Sequence, residues 1–139
     1  MAVNDVTITA TAVLTPSGTI ESGDSGEALT PGDWVYEDSA SSQLKLAQCD
    51  GTFAQATVVG MILNQAAAAG QPVDYLRAGT VTIDNTTQGK AYFLSDTAGK
   101  MTYDSDITTS TWHKVSLCLA RSAQVISLNI KSDSGAVIP

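Results

Sequence analysis

A chain of 139 residues is one domain's worth of sequence, long enough to bury a single core. Charged residues make up 15% of it and hydrophobic ones 43%, against roughly 25% charged in ordinary soluble domains, so part of the surface is uncharged and suited to a protein interface. An oligomer is expected. The net charge of −7 includes eight acids opposed only by Lys45 within residues 1–50, and the seven basic residues are scattered singly. That distribution excludes nucleic-acid binding, which needs clustered cations to displace counterions from phosphates.

In chain order, the start (MAVNDVTITATAV) has neither the basic region nor the apolar run of a signal peptide, and no stretch is apolar enough to span a bilayer. Synthesis in a cytoplasm, no membrane and a soluble product are the expectation. Asn85-Thr86-Thr87 matches a glycosylation acceptor and means little without secretion. From Thr7 to Ile20 there is no charge, and Val6, Ile8, Ala10 and Ala12 alternate with threonines in the period of a strand. This predicts a strand over Val6 to Leu14. It either completes the domain's own sheet or pairs with a neighbour. Thr15-Pro16-Ser17-Gly18 and Glu21 to Gly26 read as turns or a hinge.

Further strands are predicted at Trp34 to Glu37, Gln43 to Ala47, Val58 to Leu63, Val73 to Arg77, Thr80 to Ile83, Ala91 to Ser95, Lys100 to Tyr103, Val115 to Ala120 and Val125 to Ile130. The one helix-favouring run, Ala66 to Ala69, is cut by Gly70 and Pro72. Residues 132–139 read as a loose tail whose Val137, Ile138 and Pro139 could dock. The expectation is an all-β domain, a small barrel or sandwich, with an arm and turns over 1–30, a β domain over 31–131 and the tail.

Self-similarity refines this. Gly32-Asp33-Trp34-Val35-Tyr36 sets against Gly89-Lys90-Ala91-Tyr92-Phe93 at a spacing of 57 residues, as Gln43 to Leu46 sets against Lys100 to Tyr103 and Val58 to Leu63 against Val115 to Ala120. After a shorter loop, Val73-Asp74-Tyr75 falls on Ile126-Ser127-Leu128. Residues 32–77 and 89–130 thus read as two related β-meanders closing apolar faces on each other.

Chemistry is sparse. His113 is the single histidine and reads as a surface or packed side chain. Cys49 and Cys118, 69 residues apart and outside any zinc-ligand spacing, read as buried or idle thiols. No G-x-S-x-G elbow and no phosphate-binding glycine loop occurs. Glu37-Asp38, Asp24 with Glu27, and Asp104-Ser105-Asp106 lack the glycine and glutamate of a calcium loop and read as solvated turns. No catalytic residue, cofactor or metal is expected. Trp34, Tyr36, Tyr92 and Phe93, at matched repeat positions, read as core; Trp112, outside the repeat, is the candidate interface aromatic.

The run Ala66-Ala67-Ala68-Ala69-Gly70-Gln71-Pro72-Val73-Asp74-Tyr75-Leu76-Arg77-Ala78-Gly79-Thr80-Val81, followed by Gly89 to Ser95, resembles the small capsid decoration (cement) proteins of tailed bacteriophages. There a run of small residues leads to Gly-x-Pro-Val, a strand, and Gly-x-Val. The resemblance covers about residues 28 to 130 and departs in the elongated N-terminal segment. It implies a virion protein on the outer capsid surface, often a homotrimer, that clamps neighbouring major capsid proteins. On this reading Val6, Ile8, Ala10, Ala12, Val13 and Leu14 form the capsid or neighbour contact, and a chain lacking residues 1 to 15 folds without binding heads. The alternative is a carbohydrate- or receptor-binding module of a phage head or tail fibre, stacking sugars on Trp112 and Tyr103.

Overall fold

The computed structural model describes residues 5, 6, 8–103, 106–107 and 112–131. Nine strands are present among them: β1 Leu14–Asp24, β2 Trp34–Glu37, β3 Leu44–Leu46, β4 Val58–Ile62, β5 Pro72–Thr82, β6 Ala91–Leu94, β7 Met101–Tyr103, β8 Ser116–Ala120 and β9 Val125–Lys131. The named strand pairs are all antiparallel, and the sheet curls into a half-barrel, a small all-β barrel or sandwich as expected.

Two predicted elements differ. Val6–Leu14 is not a strand: Val6 makes an isolated bridge to Met101, and Ala10–Ala12 is a 3₁₀ turn. The strand proper runs from Leu14 to Asp24, through the segment read as turns. Alternation marks an extended chain but not its partner, and the turn-rich residues are held straight by pairing with β5. Likewise Val73–Arg77 and Thr80–Ile83 are one strand, β5, because Gly79 continues the ladder instead of ending it. Gly79 faces Gly18 across the ladder, with φ of +122° and +137°. A Cβ on either would meet a backbone carbonyl of the opposite strand, so no other residue fits this crossing.

The strand order β3-β2-β4-β5-β9-β8-β6-β7 lays out the two meanders, β2 to β5 and β6 to β9. Val35, Tyr36 and Glu37 pair with Leu46, Lys45 and Leu44; Tyr92, Phe93 and Leu94 pair with Tyr103, Thr102 and Met101, so both sides of the ladder move by 57 residues. The third strand slips by one. Gly32 donates its N–H to the Ile62 carbonyl (2.9 Å), and Gly89 donates to Ala120 (2.8 Å), so Ile62 rather than Leu63 is the match of Ala120. In the fourth strand Tyr75 corresponds to Ile126 rather than Leu128, since Ile62 pairs with Tyr75 and Ala120 with Ile126.

The sheet forks at β5. Successive residues of a strand direct their backbone groups to opposite edges. Asp74 accepts from the Leu63 N–H (2.9 Å) on the β4 side, and Gln71 accepts from Ser25 (2.8 Å) on the β1 side. Thr19 pairs with Ala78 but Ile20 with Leu76, leaving Arg77 as a bulge that inverts the alternation. Beyond it Ile83 donates to Gln124 (2.8 Å) on the β9 side. β4 and β9 therefore take successive stretches of one edge of β5, and β1 lines the other.

The main core gathers Trp34, Tyr36, Met61, Leu76, Val81, Tyr92, Leu94, Met101, Leu117 and Ile126, and a smaller cluster holds Leu29, Val35, Leu44, Ile62, Ala66 and Val73. Burial of consecutive residues, Trp34 with Val35 and Met61 with Ile62, means both faces of the first meander are covered.

Candidate binding edge and groove

β1 is the most exposed strand: no residue from Leu14 to Asp24 is buried. Among the described residues it pairs with β5 alone, and its outer edge presents backbone donors and acceptors that none of them pairs, the feature onto which another strand adds. Leu14 (54% exposed) and Ile20 (46%) lie along it. Pro16 and Asp24 are its only residues of the kinds that discourage such pairing besides Glu21. Near its C-terminal end Glu21 accepts from Arg77 Nη1 and from Tyr75 Oη, both at 3.0 Å, and these bonds hold the Glu21 carboxyl below its usual value. Burial, then the same bond, pushes the Tyr75 hydroxyl up. Ser22 Oγ donates to Asp74 (2.6 Å), fastening the strand to β5 a second time.

The residues assigned to neighbour contact from sequence divide. Val6, 7% exposed, donates its N–H to the Met101 carbonyl (2.9 Å) and belongs to the main core; Ile8 packs on Gly32, and Ile8 and Val13 lie against the same core. Ala10 and Ala12 form the 3₁₀ turn, preceded by Thr9, whose N–H bonds Asp84 Oδ1 (2.8 Å). Leu14 alone of the set is largely exposed. The described residues before β1 are thus packed on their own domain, with Val6 bridged to Met101. The open edge, β1 itself, was concealed in sequence by its Pro-Ser-Gly run, which resembles a turn.

A groove of about 590 Å³ opens where β4 and β9 part, floored by Arg77 and Ala78 and walled by Val58, Val59, Leu128 and Ile130.

Trp112 is half-buried and packs on the main core. Tyr103 stacks on Tyr92 at 5.7 Å and carries Lys90 Nζ 4.0 Å from its ring centre, so both aromatics of the carbohydrate alternative are engaged within the fold. Phe53 is the more exposed ring and lies 5.9 Å from that of His113. His113 is buried and donates its backbone N–H to Cys49 (2.8 Å), which makes it a packed histidine. Cys49 and Cys118 are buried free thiols, each pushed up to about 12 by burial, so neither is a thiolate nucleophile at neutral pH.

The acids serve loops. Asp38 accepts from Ser41 (2.8 Å), which holds it below its usual value, and lies 3.6 Å from Lys45; Glu27 accepts from the Leu46 N–H (2.9 Å). Asp104 and Ser105 lie outside the described residues; Asp106 accepts from Thr102 (2.5 Å). Among the described residues no group of three metal-ligating side chains converges, and no helix is long and apolar enough to cross a membrane.

Fold and site together define an antiparallel β protein whose β1, among the described residues, is an exposed strand paired with β5 alone. Comparison with family models and with curated proteins finds no match for the chain.

Proposed function

We propose that the protein is a structural virion component that pairs β1 with a neighbouring protein, and that the neighbour is the major capsid protein of a tailed-phage head. The protein would decorate the outer capsid surface, as a homotrimer, and clamp adjacent capsid subunits. The observation that carries the reading is β1, a strand without a buried residue, exposed from Leu14 to Ile20 and, among the described residues, paired with β5 alone. An acidic surface suits an exterior away from packaged DNA, and many copies of a modest contact act together to resist separation of subunits. No catalytic step is required. The identity of the neighbour rests on the sequence resemblance.

The test mixes purified protein with undecorated heads and measures co-sedimentation, with the protein's own mass in solution measured in parallel. Saturable binding by a trimer is expected. A monomer that leaves heads untouched refutes the proposal.

A further inference from the structure

In the second meander β8 is paired on both edges at both of its ends: Ser116 with Phe93 and Lys131, Leu119 with Ala91 and Ser127. In the first meander the corresponding ladder is cut short, because β4 pairs with β5 only at Met61 and Ile62, the matches of Leu119 and Ala120. Val58 is the match of Ser116, and among the described residues it pairs with Tyr36 of β2 alone. The cause is the bulge at Arg77, beyond which β5 turns from β4 to β9 and pairs Gly79 with Leu128. Where β8 meets β9, β4 instead faces the groove of about 590 Å³, with Val58 and Val59 on one wall and Leu128, Asn129 and Ile130 on the other.

A strand edge bordering a groove favours an occupant with backbone groups of its own, and the second meander shows its direction: antiparallel to β4, as β9 is to β8. The side chains of such a strand meet the aliphatic walls formed by Val58, Val59, Leu128 and Ile130. They meet no unmatched charge, because Arg77 on the floor is bonded to Glu21 at 3.0 Å. An extended, uncharged, aliphatic segment therefore fits. β1 borders the groove through Thr19 and Glu21. A chain on the outer edge of β1 is two strand spacings from β5, about 10 Å, which about three extended residues cross. We propose, on the reading that β1 binds the major capsid protein, that this same neighbour also lays an extended aliphatic segment antiparallel to β4 in the groove. One partner then engages both edges of β5.

Amide hydrogen exchange of the full chain, with and without undecorated heads, tests this. Those amides of residues 58–59 and 129–130 that exchange freely in the unbound protein should slow at least about tenfold when heads bind. Ala78→Trp fills the floor of the groove and leaves the outer edge of β1 intact, so it should weaken head binding at least about tenfold at an unchanged melting temperature. Unchanged exchange at these four residues, or parental binding by a folded Ala78→Trp, overturns the proposal. If heads slow Ile20 and Ser22 but not the groove residues, the reading of β1 stands and this inference falls; if heads slow neither, both fall. Full protection of the groove residues before heads are added, or protection that grows with protein concentration, assigns the groove to another occupant and also overturns it.

Discussion

The two meanders share a hydrogen-bonding frame and differ in what covers them. Trp34 and Met61 are cross-strand partners with no exposed surface. Their counterparts in the second meander, Ala91 and Leu119, are also partners, yet Leu119 is 47% exposed. The repeat therefore dictates pairing and turns, while burial is decided by how the halves fold over the fork in β5. β1 stands outside both, attached to the strand at which they join.

Four substitutions and one titration probe that difference, from the largest effect to the smallest. Met61→Ala should lower stability by about 2–5 kcal/mol in chemical denaturation, whereas Leu119→Ala at the matched position should change it by less than about 0.5 kcal/mol. Equal losses would mean that the open face is covered in solution. Gly79→Val forces a side chain into the Ser17 carbonyl at a φ of +122° and should cost about 1–3 kcal/mol, with β1 losing its exchange protection ahead of the meanders. Ile20→Lys puts a charge on the open edge; its melting temperature should match the parent's, while binding to heads falls at least about tenfold.

The titration has the smallest effect. A carboxyl held below its usual value stabilises the fold above that value and loses the contribution as pH falls through the folded one. Acidification below 4.5 should therefore loosen the Glu21 end of β1, seen as faster exchange at Glu21 and Gly23, and only slightly, because the pair with Arg77 is solvent-exposed.

Much of the fold was legible in sequence because glycine turns and short apolar runs recur. Gly32 and Gly89 mark matched turns, and Trp34, Tyr36 and Tyr92 are buried as the repeat implied. The one-residue slip between Ile62 and Ala120 was not legible, since Val-Val-Gly-Met-Ile-Leu and Val-Ser-Leu-Cys-Leu-Ala align equally well at either offset. The candidate site was legible only in part. The uncharged stretch from Thr7 to Ile20 was visible, but Val6 and Ile8 are spent on the core, and the open edge begins at Leu14, where Pro16 and Gly18 imitate a turn. The groove depends on a bulge at Arg77, and a bulge is a property of two strands in register, invisible in either alone.

The central claim is that β1 acts through its outer edge. In β1, Ser25 and the odd-numbered residues before it direct their N–H groups to β5, so those of Ile20 and Ser22 point outward. Amide exchange measured with and without bound heads should slow at Ile20 and Ser22 and stay unchanged at Glu21 and Gly23. Binding that leaves Ile20 and Ser22 exchanging as in the free protein would contradict the account.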